Sequence, residues 1–183
     1  MVQLTRLLFV ASLLATNLAT LTKRQGGVIT IENDIANISM VASILDTQVN
    51  GFPASGLAGA LAINTDAGNL VSALNKGTTD IKATPGPLSE SVGTTIVQEV
   101  EAMEPLILTA ATTLVKEKPS FAALPIAGIP ALILADLQAI NASNGAFLDA
   151  LIAILPPDLQ PAIIAIERNN TPIFNAAIAA FSS

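Results

Sequence analysis

The sequence contains no cysteine, histidine, tryptophan or tyrosine, and phenylalanine alone supplies its 3% aromatic content. These absences remove whole classes of chemistry. Without Cys or His the chain cannot build a Ser-His-Asp triad, a thiol nucleophile or the common zinc sites. A carboxylate di-iron site in a helical bundle needs Glu-x-x-His pairs, which are missing for the same reason. Without disulfides, the fold must rely on its core. Gly56 and Gly59 lack the lysine and the strand context of a phosphate loop. Sustained strand-like alternation and fixed-period repeats are absent too. Proline, aspartate or asparagine breaks the longest apolar stretches, so no transmembrane segment is expected. Basic residues are scarce: 8 Lys and Arg stand against 14 Asp and Glu. That balance argues against nucleic acid and against anionic membranes as partners.

What is present is aliphatic. Of 183 residues, 51% are hydrophobic and only 12% charged, mostly through Ala, Ile, Leu and Val. The length suits one domain, and the composition suits helices packed through aliphatic side chains. The chain opens like a secretory leader: Arg6 supplies a positive start, and Leu7 to Ala15 form an apolar run too short to span a bilayer. The small residues around Ala19 mark a cleavage point, and Lys23-Arg24 reads as a dibasic processing site. The expected organisation is therefore a signal peptide over 1–19, a short pro-segment over 20–24 and a single domain over 25–183. Removing Arg6, Lys23 and Arg24 with the leader leaves a net charge of −9. Three sequons, at Asn37, Asn141 and Asn169, are candidate glycan sites, the last disfavoured by Pro172 directly after its Thr171.

Helical periodicity runs through the rest. Ile31, Ile35, Ile38, Ala42, Leu45 and Val49 recur at steps of three and four, predicting a first helix after a Gly26-Gly27 joint, capped by Thr30. A second helix starts near Ser55 and is weakened by Gly56, Gly59, Gly68 and Gly77, so a bend or break is expected before Thr84-Pro85-Gly86-Pro87 ends it. The third carries Val92, Ile96, Val100, Met103, Ile107, Ala110 and Leu114 on one face, with Ser89 or Ser91 as cap. Pro105 predicts a kink or break near Met103, and Lys116, Lys118 and Pro119 a basic stop. Glu99, Glu101 and Glu104 are expected to face water. Glu101 and Glu104 are therefore surface neighbours and not a carboxylate pair across a cleft.

Residues 119–130 read as an apolar loop, and Pro130 opens a fourth helix whose apolar surface is so wide that it must be central or line a cavity. After Pro156-Pro157, a last helix carries Ile163, Ile166, Ile173 and Ala177, with a kink at Pro172. The fold class that follows is all-α: an antiparallel bundle of about five amphipathic helices, some kinked at Pro or Gly. Helical phase alone nominates Val100, Met103, Ile107, Ile133, Leu137, Ile140, Leu148, Leu151, Ile166 and Ile173 as the wall of a ligand cavity. No metal, cofactor or catalytic residue is expected.

Several stretches resemble the fungal hydrophobic surface-binding protein A family, also described as cell-wall galactomannoproteins. They are Ala102-Met103-Glu104-Pro105, the stop Lys116-Glu117-Lys118-Pro119-Ser120-Phe121, Leu134-Ala135-Asp136-Leu137 and the ending Ala176-Ala177-Ile178-Ala179-Ala180-Phe181. The resemblance implies a secreted, non-enzymatic helical protein that adsorbs to hydrophobic surfaces or holds a fatty acid inside the bundle. It also implies association with the cell wall, with wall polysaccharide or a secreted hydrolase as further partners. Several relatives continue into a Ser/Thr-rich tail with a lipid anchor; this chain stops at Ser183, and covalent attachment is not expected. The alternatives are a structural wall mannoprotein or antigen without a ligand, and a secreted adaptor that recruits an enzyme or host protein.

Overall fold

The long helices are separated at links that carry proline or glycine, such as Thr84-Pro85-Gly86-Pro87 and Pro156-Pro157, but run on through Pro105 and Pro172. The computed structural model describes the backbone of residues 2–182 and the side chains of residues 22–182. The leader expected over 1–19 lies outside the described side chains. Among the described residues there are six helices and no strand: α1 (Val2–Gly51), α2 (Gly56–Ala83), α3 (Glu90–Lys116), the short α4 (Lys118–Ala122), α5 (Ile129–Ile154) and α6 (Gln160–Phe181).

Several boundaries depart from the sequence reading for identifiable reasons. The expected joint at Gly26-Gly27 does not interrupt α1, and Thr30 is not its cap. The Thr30 hydroxyl instead donates to the Gly26 carbonyl one turn back, at 3.0 Å. Helix α2 is likewise unbroken over 28 residues despite its glycines. Gly77 has a packing role there, because a Cβ on it would lie 3.0 Å from the Phe147 ring and 3.3 Å from Ile38. Helix α3 is capped by Ser89, whose Oγ accepts from the Val92 N–H at 3.4 Å. It runs on through Pro105 to Lys116. An interior proline costs about 3 kcal/mol, and the buried Val100 and Met103 before it and Ile107 and Ala110 after it offset that cost. Pro119, expected to stop a helix, sits in the first turn of α4, where its missing N–H is harmless. The loop expected from there to Pro130 begins only after Ala122.

Helix α1 packs on α2 and α3, α2 on α5, α5 on α6, and α6 on α3. The five long helices therefore close into a ring in the order α1, α2, α5, α6, α3. Both ends of the ring are tied. At one end Phe121 of α4 stacks on Phe52 from the α1–α2 turn, with centroids 4.0 Å apart, and meets Phe181 of α6 edge-on at 6.3 Å. At the other, the Leu88 N–H donates to the Ile154 carbonyl at 2.8 Å, and Gly27 lies against the Thr84 side chain. Successive helices run antiparallel. The ring contacts α2–α5, α3–α6 and α1–α3, however, join helices running the same way. The interior is a single core of Ile, Leu, Val, Ala and Phe side chains contributed by every helix.

By length and composition alone, Thr22–Gly51 of α1 is apolar enough to cross a membrane. Its apolar stripe, Ile31, Ile35, Ile38, Ala42, Leu45 and Val49, is instead spent on the core, and it carries the buried Asp34, held by Lys76 of α2 at 2.5 Å. Lys76 also reaches Asp80 at 2.7 Å. Its ammonium is pushed up to about 12 by the hydrogen bonds it donates to Asp34 and Asp80. Burial raises the Asp34 carboxyl from its ordinary value.

Candidate ligand-binding site

The feature that breaks the aliphatic interior lies where α6 closes the ring between α5 and α3. Glu104, expected to face water, is 4% exposed. It is four residues after Val100 and three before Ile107, so helical phase turns it inward with them. Two asparagines face it. The Asn170 amide donates to Glu104 Oε2 at 2.6 Å, and the Asn144 amide donates to the same oxygen at 3.4 Å. Both asparagines are buried. They stand on the apolar stripes at four-residue spacing: Ile140, Asn144, Leu148 on α5 and Ile166, Asn170, Phe174 on α6. That placement is the sequence signal for the cluster, and a stripe traced through apolar residues alone skips it.

The cluster is only half satisfied. Glu104 Oε1 and Asn144 Oδ1 are buried with no hydrogen-bond partner. Burial raises the Glu104 carboxyl from 4.5 to about 7, against the lowering effect of the two amides. The carboxyl therefore titrates near neutrality.

A cleft flanks each side of α6 at this level. Between α3 and α6 a space of about 330 Å³ is walled by Leu108, Ala162, Ala165 and Ile166, with Glu101, Glu104, Asn169 and Asn170 among its polar residues. Between α5 and α6 a second space, of about 370 Å³, is lined by Asn141, Asn144, Leu148, Asp149, Glu167 and Asn170 among others. Asn170 is common to both. Volumes of this size fall at the lower end of small-molecule sites, roughly 300–1,000 Å³. A wider and more apolar cleft, about 630 Å³, opens between α1 and the start of α3, lined by Arg24, Gln25, Val28, Ile29, Leu88, Ser89 and Val92. Arg24, half of the expected processing pair, forms part of its wall, so cleavage after Arg24 would open it further; Lys23 beside it is exposed.

The cavity-wall residues chosen by helical phase divide in two. Val100, Met103, Ile107, Ile133, Leu137, Ile140, Leu148 and Leu151 are all buried in the common core, and Leu148 also borders the α5–α6 cleft. Ile166 and Ile173 are half-buried against that core, Ile166 on the wall of the α3–α6 cleft. Of the sequons, Asn37 and Asn169 are exposed, whereas Asn141 is half-buried in the wall of the α5–α6 cleft. Asp136, on another face of α5, accepts from Asn64 of α2 at 2.9 and 3.0 Å. Burial raises its carboxyl to about 6.

Among the described residues no group of His, Cys, Asp or Glu is placed to hold a metal ion. The arrangement offers an aliphatic interior, grooves beside α6 and one unsatisfied polar cluster. Such a site can bind an amphiphile, and nothing in it supplies a nucleophile paired with a base.

The sequence pattern of the family described as hydrophobic surface binding protein A matches residues 28–153. No curated protein matches the chain in sequence. Among solved structures, the chain is similar to Afmp4p in complex with palmitic acid, at 28% identity and a TM-score of 0.77 over 84% of this chain and 99% of that one. It is also similar to ligand-binding domain 1 of the Penicillium marneffei MP1 protein complexed with arachidonic acids, at 18% identity and TM-score 0.77 over 86% of this chain and 99% of that one. Ligand-binding domain 2 of the same protein, complexed with multiple arachidonic acids, matches at 17% identity and TM-score 0.74 over 85% of this chain and 96% of that one. At those lower identities the likeness is one of fold.

Proposed function

Since the chain belongs to the hydrophobic surface binding protein A family, we propose that it is a secreted, non-enzymatic protein that binds lipid-like ligands through the aliphatic surfaces of its helical ring. The observation that carries this reading is the closed five-helix ring with a continuous aliphatic core, in a fold similar to that of palmitate-bound Afmp4p at 28% identity. The clefts beside α6 are the entry points that the reading favours, because they lead from solvent to the only buried polar cluster described beside them.

Secretion is supported by the apolar leader with Arg6 and by the Lys23-Arg24 pair. The non-enzymatic reading is supported by the lack of His and Cys. Titration of a fluorescent fatty acid into the purified protein tests the proposal. Saturable binding is expected, and no saturation together with no adsorption to hydrophobic beads would refute it. A specific observation favours surface adsorption as a second mode: Met40 and Ile44, one turn apart on α1, are 57% and 45% exposed.

A further inference from the structure

We infer that the Glu104–Asn144–Asn170 cluster is a head-group site, and that it selects single-chain amphiphiles whose head donates hydrogen bonds, an amine before an alcohol, over those with a carboxylate head. The inference rests on the lipid-binding reading and specifies the ligand within it.

Two buried oxygens of the cluster are left over. Glu104 and Asn144 are 4% and 2% exposed, yet Glu104 Oε1 and Asn144 Oδ1 have no partner. A buried polar atom without a hydrogen bond is costly and rare in a folded protein. Both orphans are acceptors once the carboxyl has lost its proton. Each asparagine gives one of its two amide N–H groups to Glu104 Oε2. A ligand that satisfies the two orphaned oxygens must therefore bring N–H or O–H groups. A carboxylate brings only more acceptors.

The surrounding charge points the same way. The residues lining the two clefts beside α6 include Glu101 and Glu104 on α3, Asp149 on α5 and Glu167 on α6, and among the described residues no lysine or arginine lines either cleft. Like charge disfavours an anionic head and favours a cationic one. The α3–α6 cleft then supplies what an alkyl chain requires, because Leu108, Ala162, Ala165 and Ile166 wall it beside Glu104. Head and tail sites are thus contiguous, and together they describe a simple long-chain amine or alcohol.

Displacement of the neutral fluorescent probe N-phenyl-1-naphthylamine from the purified protein at pH 8, by hexadecylamine, hexadecanol, palmitate and methyl palmitate, tests the inference. Hexadecylamine and hexadecanol are expected to displace the probe at concentrations at least tenfold below those of palmitate and methyl palmitate. In Glu104→Gln the advantage of the amine over the alcohol should collapse, because the acceptor remains but its charge is gone. In Glu104→Leu the four ligands should converge. Circular dichroism confirms that each variant is folded, and the near-isosteric Glu104→Gln carries the test if Glu104→Leu is not. If palmitate binds best, or if the wild-type preference survives in Glu104→Gln, the head-group inference is wrong while lipid binding stands. If no ligand displaces the probe and the probe itself fails to saturate, the lipid-binding reading fails as well.

Discussion

Replacing Glu104 with glutamine keeps the shape and an acceptor at the cluster while removing its titration, so it isolates the energetic consequence of burying this carboxyl. Burial raises the Glu104 carboxyl from 4.5 to about 7. The folded state therefore holds the proton more tightly than the unfolded chain does. The stability tied to that proton is fully present below about pH 4.5, declines as pH rises towards 7, and is absent above it. A displacement of this size corresponds to about 3 kcal/mol at roughly 1.4 kcal/mol for each pH unit.

The glutamine variant cannot ionise, so its stability should not fall over this window on account of residue 104. Asp34, Glu99 and Asp136 are also raised by burial, and they tilt both proteins alike. The difference between variant and wild type therefore reports Glu104 alone. Urea unfolding followed by far-UV circular dichroism suits a chain without Trp or Tyr. Between about pH 4.5 and 8 the variant should gain on the wild type by up to about 3 kcal/mol, with most of the change between about pH 5 and 7. A constant difference across the whole range would refute the reasoning, as would a variant that loses ground as pH rises.

Phe121→Ala removes the fully buried ring that stacks on Phe52 and meets Phe181. It should cost about 3–5 kcal/mol in urea unfolding. Gly77→Val places branched carbon where even a Cβ meets Phe147 at 3.0 Å, and a loss of about 1–3 kcal/mol is expected despite the gain in helix propensity. For the protein recovered from the medium of a secreting host, mass spectrometry should find an N-terminus at Gln25, and Lys23→Ala with Arg24→Ala should shift it upstream. In the same material Asn37→Gln, at an exposed sequon on the face of α1 opposite its core stripe, should lower the mass by one glycan.

The ring was largely legible in the sequence because most of its rules are local. Thr84-Pro85-Gly86-Pro87 ends α2, Ser89 caps α3 and Pro130 opens α5 where turn and capping chemistry place them. What escaped depends on neighbours distant in the chain. The glycines of α1 and α2 look like breaks in isolation, yet Gly77 is there to admit Phe147 from α5, 70 positions away. Pro105 looks like an interruption until both halves of α3 are seen anchored in one core. The order of helices around the ring could not be read from connection lengths. The short α2–α3 link suggests adjacency, and α1 lies between them. Glu104 is expected to face water as a residue off the apolar stripe, although its phase, four residues after Val100 and three before Ile107, turns it inward with them. Two asparagines on separate helices make its burial possible, and no single stripe reveals them.

The central claim is that this ring of aliphatic helices takes up a lipid-like ligand, and native mass spectrometry of the purified protein mixed with hexadecanol tests it most directly. A protein peak displaced by the mass of bound hexadecanol is expected, saturating at a fixed stoichiometry and weakening in Glu104→Leu. The bare protein mass at every concentration of hexadecanol, and of palmitate in its place, would contradict that claim.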